Sequence, residues 1–120
     1  MAEIDLSGTW HSKYTFHNDI EDNGVSEHDV QIHKTGNQVI MQSVPNEEGS
    51  YLIMKLTLDD KLLTGTWREE TSPTGKYKRQ TYYGAVQLKV ESSNRIAGKH
   101  VCENHALEII AGDWELTRTS

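Results

Sequence analysis

Tyr51-Leu52-Ile53-Met54-Lys55-Leu56-Thr57-Leu58, then Asp59-Asp60, then Leu62-Leu63-Thr64-Gly65-Thr66-Trp67-Arg68-Glu69-Glu70-Thr71 is the stretch that decides the fold. In the first run Leu52, Met54, Leu56 and Leu58 recur at every second residue, with a more polar set between them. Period two places them on one face of a strand. In the second run Leu63, Gly65, Trp67, Glu69 and Thr71 share a face in the same way. The connection is far too short for a parallel crossover, which takes about a dozen residues, so the two strands are antiparallel neighbours.

The same reading extends in both directions. Strand-like runs cover Gly8–Phe16, Val25–Lys34, Gln38–Val44, Lys76–Val90, Arg95–Glu103 and Leu107–Arg118, separated by clusters of Gly, Asn, Asp, Ser and Pro. No amphipathic helix longer than two turns is found. Short connections make a meander, in which each strand pairs with the next. About eight such strands left as an open sheet would expose two edges and one uncovered face. Closure removes both problems. The expected fold is therefore all-β: a single closed antiparallel up-and-down β-barrel of about eight strands, one domain over residues 1–120. Gly84, in the middle of the long run Lys76–Val90, is expected to mark a bulge or bend. The faces of Gln38–Val44 are both mixed, and its inward side stays open.

The 120 residues carry 18 acidic and 12 basic side chains, a net charge of −6. That balance argues against nucleic acid and against anionic lipid as partners. No run approaches the roughly 18 apolar residues of a membrane span. The start, Met1-Ala2-Glu3-Ile4-Asp5, has neither a basic nor an apolar leader region. One cysteine, Cys102, provides no internal disulfide and fits a reducing compartment. The expected location is cytoplasmic.

One pattern recurs irregularly: an aliphatic residue, a small one, Gly, any residue, then a ring. It stands at Leu6–Trp10, Leu63–Trp67, Ile96–His100 and Ile110–Trp114. The aliphatic, the Gly and the ring share one strand face, as large beside small does in a barrel interior. Gly8-Thr9-Trp10 on the first strand, with Arg118 on the last, resembles the calycin superfamily of lipocalins, fatty-acid-binding proteins and avidins. The resemblance implies a lipocalin-like barrel closed at one end by Gly8, Trp10 and Arg118, with the guanidinium lying across the indole. More faintly, Gly65–Thr71 with Tyr83–Leu88 is similar to small β-domains attached to bacterial transcription regulators.

The inward faces carry the functional expectation. Tyr14, His28, Glu69, Tyr82 and His100 fall among apolar neighbours, and an unpaired buried polar group costs about 1–3 kcal/mol. A barrel of about eight strands holds one small ligand, and a mostly apolar cavity with a few convergent polar groups is the usual form of such a site. The expected ligand-binding residues are Tyr14, His28, Met54, Leu56, Trp67, Glu69, Tyr82 and His100, with Trp10, Trp114 and Val86 adding apolar surface. The partner is a small molecule with an apolar body and a polar or charged group, bound by a monomer or homodimer. Glu69 is expected to take a partner from Lys78, Arg79, a histidine or the ligand.

Other constellations carry less. His100 and Cys102 share one strand face with His105 close by, but nothing else supplies a second pair of ligands at the spacing a tetrahedral zinc site needs. Lys76-Tyr77-Lys78-Arg79 after the Ser72–Gly75 turn reads as a solvated hairpin or as an attractor of anions. No nucleophile elbow, phosphate loop or dinucleotide fingerprint occurs. No catalytic residue, metal or cofactor is assigned. Two alternatives to a carrier or sensor remain. One is acid–base catalysis by Tyr14, Tyr82, Glu69 and His100, residue types suited to it; calycin-like phenolic acid decarboxylases use tyrosines and a glutamate in this way. The other is an interaction module without a ligand.

Overall fold

Alternation and short turns build eight strands in the computed structural model, which describes residues 5–16, 24–45, 49–70, 81–103 and 109–119. They are β1 (Gly8–Phe16), β2 (Gly24–Thr35), β3 (Gln38–Ser43), β4 (Tyr51–Asp59), β5 (Leu62–Glu70), β6 (Thr81–Ser92), β7 (Arg95–Glu103) and β8 (Ile109–Arg118). Each pairs antiparallel with the next, and β8 pairs with β1, so the sheet closes as a barrel in chain order. The expected fold class is observed. Lys76–Gln80, Thr71, Leu107 and Glu108, read from sequence as strand, lie outside the described residues, as do the Lys76–Arg79 cations, His17 and His105.

The two ends differ in how they are joined. Two-residue connections link β2 to β3, β4 to β5 and β6 to β7, all at one end. Two of these turns use the left-handed backbone region, at Gly36 (φ 61°) and Asp60 (φ 56°), residue types that tolerate it. The four connections at the other end span five to ten residues each. We call these the closed end and the loop end.

The closed end is sealed from the sequence ends inward. Trp10 is fully buried and donates its indole N–H to the Leu6 carbonyl at 3.0 Å. The Arg118 guanidinium carbon lies 4.6 Å from the centre of the Trp10 ring. Its Nε donates to Ser93 O and its Nη1 to Ser7 O, both at 2.8 Å, and its Nη2 donates to Asp5 O. One side chain thus ties the β6–β7 turn and the segment before β1 across the base. The cation–π contact expected from Gly8-Thr9-Trp10 and Arg118 is present.

Above this seal, Ile32, Val39, Leu63, Leu88, Ile96 and Leu116 fill the barrel, with Val30, Met41, Met54, Leu56 and Val86 also buried. The inward set of β3, undecided from sequence, is Val39, Met41 and Ser43. The bulge expected at Gly84 is not there. Gly84 pairs regularly with Trp67 and with Cys102, and the register shift of β6 falls at Val90/Ser92. Gly84 answers to its neighbours instead: a Cβ there would stand 1.8 Å from the Val101 carbonyl oxygen.

Candidate functional site

The recurrent glycine-and-ring pattern becomes intelligible in register. Trp67 on β5 lies opposite Gly84 on β6, His100 on β7 opposite Gly112 on β8, and Trp114 on β8 opposite Gly98 on β7. Each of these three rings therefore lies opposite a glycine of the adjacent strand, whereas Trp10, the first copy of the pattern, lies opposite Val30 and Arg118. In two cases the ring reaches further. Trp67 donates its indole N–H across Gly84 to Val101 O on β7, at 3.3 Å. His100 donates Nε2–H across Gly112 to Thr15 O on β1, at 2.7 Å. A Cβ on Gly112 would lie 2.2 Å from that carbonyl oxygen and 2.6 Å from Nε2. Glycine is required because the hydrogen bond occupies the place of its side chain.

These rings meet inside the barrel. Tyr14 stacks on Trp114 with centroids 4.3 Å apart, and Trp67 and His100 stand tilted or edge-on at 5.2–5.4 Å from their neighbours. Trp114 donates its N–H to Ser12 Oγ at 2.8 Å. Met54 and Leu56, neighbours of Trp67 and Gly65 across the β4–β5 ladder, are buried in the same interior. The four rings form a floor that separates the apolar lower barrel from the loop end.

Glu69 stands one inward position beyond Trp67 towards the loop end, and only 4% of it is exposed. Tyr14 Oη donates to its Oε1 and Ser26 Oγ to its Oε2, the latter at 2.7 Å. His28 Nε2 lies 3.4 Å from Oε2 and 3.0 Å from Ser50 Oγ. Of the partners expected for Glu69, a histidine is therefore observed, while Lys78 and Arg79 lie outside the described residues. Both carboxylate oxygens are thus engaged by hydroxyl groups. Burial, then the Glu69 charge and hydrogen bond, push the Tyr14 phenol well above its ordinary range, so it keeps its proton and donates. Burial and then the Glu69 charge also raise Tyr82, the half-buried inward residue paired with Glu69 across the β5–β6 ladder.

His100 is 1% exposed, and burial lowers its pKa below 6.5 despite the opposing bond to Thr15. A carbonyl only accepts, so Nε2 carries the hydrogen and Nδ1 is a bare acceptor. Nδ1 is buried and finds no hydrogen-bond partner among the described residues. Cys102 is buried too, and burial raises its thiol, leaving it a small apolar group. Among the described residues no group of three His, Cys, Asp or Glu side chains is placed to hold a metal.

Tyr14, Trp67, Glu69 and His100 are thus brought together, with His28 on the far side of Glu69. Gly8, Trp10 and Arg118 belong to the opposite end. Sequence reading missed Ser26 and Ser50, which complete the polar cluster. Ser26 was within reach, since it lies two residues before His28 on the same face; Ser50 follows Gly49 outside any strand and carries no periodic signal. Comparison with known protein families and with curated proteins finds no match for this chain.

Proposed function

We propose that this chain is a calycin-like small-molecule-binding barrel, serving as a carrier or sensor, whose ligand enters from the loop end and rests on the ring floor beside Glu69. The observation that carries the reading is the buried carboxylate. Removing a charge from water costs several kcal/mol, and packing alone is better served by an apolar residue at that position. Here the carboxylate is oriented by Tyr14 and Ser26 at the edge of an aromatic surface, the usual make-up of a ligand site. The seal of Trp10 and Arg118 closes one end, which supports entry from the other, where Tyr82 and Ile110 are half-buried.

The test is native mass spectrometry of protein purified from its own host, with a denaturing run to identify what is released. A stoichiometric guest is expected. Glu69→Gln should then weaken its binding by about 1 kcal/mol or more, the scale of a charged hydrogen bond. A guest recovered chemically altered would shift the reading to catalysis by the same groups. The close packing of the four rings favours a second reading, a solid-cored interaction module. It predicts no guest and an unchanged Tm when host extract is added to the native chain, against a raised Tm for a ligand binder.

A further inference from the structure

The buried polar residues described are Ser12, His28, Ser43, Glu69 and His100; no lysine or arginine is among them. Ser12 is spent on Trp114, and Ser43 Oγ accepts the Leu52 N–H at 2.9 Å. At the ring floor the buried groups are a carboxylate, a bare imidazole nitrogen and the rings of Tyr14, Trp67 and Trp114. Carboxylate and bare nitrogen both accept hydrogen bonds. The π faces carry the negative part of the ring quadrupole and attract cations. Among the described residues the one basic group beside the carboxylate is His28, which lies against Glu69 and Ser50. An anionic guest would add a second negative charge beside Glu69, for which the described residues offer only His28, and a neutral one would bring no charge to pair with the carboxylate.

Resting on the binding reading above, we propose that the guest is an organic ammonium: an apolar body carrying a protonated primary or secondary amine that pairs with Glu69. The amine supplies the N–H donors that Glu69 and His100 Nδ1 accept, and its charge lies against the rings. The net charge of −6 on the chain steers the same kind of molecule towards it.

The test is calorimetric titration of the full chain at pH 7 with three probes of matched shape: phenethylamine, 2-phenylethanol and 3-phenylpropanoate. The amine is expected to bind at least tenfold tighter than either of the others, and Glu69→Gln to abolish that preference. Should the variant fail to fold, the comparison on the unaltered protein decides alone. An alcohol or carboxylate that binds within tenfold of the amine overturns the inference, as does the failure of all three to bind. The host-purified protein separates this from the broader reading. A neutral or anionic guest released from it refutes the ammonium but keeps the binding barrel. Its release of nothing, with no probe bound, removes both.

Discussion

At Gly112 a single absent methyl group decides whether β7 and β1 are joined across β8. Alanine there would drive its Cβ into Thr15 O and His100 Nε2. Gly112→Ala is expected to cost about 1–3 kcal/mol, the range for overpacking a tight site, read as a lower urea midpoint. His11 shows the opposite environment, on the outer surface. Its Nε2 meets Glu27 at 2.9 Å and its Nδ1 meets Asp29 at 3.0 Å, so both ring nitrogens donate to carboxylates. Those hydrogen bonds, Glu27 first, raise its pKa above 6.5. The stability this gives is therefore complete below pH 6.5 and is lost as pH rises through the folded value. His100, lowered by burial, runs the other way: its contribution holds above 6.5 and is lost as pH falls through its folded value. Subtracting His11→Gln from the native chain isolates the first effect. The difference in urea midpoint is expected to shrink from pH 6 to pH 8 and to shrink further in high salt, since the pair is exposed.

Strands were legible from the chain because alternation is a one-dimensional signal. Leu52, Met54, Leu56 and Leu58 point inward whatever pairs with them, and short turns leave only antiparallel neighbours. Which ring meets which glycine was not legible, because it depends on register, a relation between strands that no single run contains. Trp67 over Gly84 and His100 over Gly112 are such relations, and the Thr15 carbonyl that receives His100 leaves no mark in composition. Glu69 stood out as an acid on an apolar face, but Ser26, which orients it, is an ordinary residue at the start of β2. Arg118 lay between these cases: its indole contact followed from resemblance, while its three carbonyl partners came only with the fold. Those partners call for a planar fork of donors. Arg118→Lys keeps the charge but offers one compact head, and is expected to cost about 1–2 kcal/mol. Thermal denaturation would show the loss. Faster hydrogen exchange at Trp10, whose N–H sits beside the released segment, would locate it at the closed end.

Closure sets the order in which the whole molecule is assembled. Seven of the eight ladders join strands consecutive in the chain, whereas β1–β8 joins the two ends and holds only five residue pairs, Trp10–Tyr14 against Trp114–Arg118. Bringing the ends together incurs the largest loop-closure entropy in the fold, so this ladder is expected to form after the meander is in place. The bond from Trp114 Nε1 to Ser12 Oγ, spanning 102 residues, lies across that seam and is buried. Ser12→Ala leaves the indole N–H without its acceptor, a cost of about 1–3 kcal/mol. Because the contact forms late, nearly all of that loss belongs to the unfolding rate and little to folding. Stopped-flow chevrons of the native chain and Ser12→Ala would show it as a raised unfolding limb over coincident folding limbs. A folding limb lowered by the full amount would mean instead that the two ends of the chain meet first and the hairpins assemble around them.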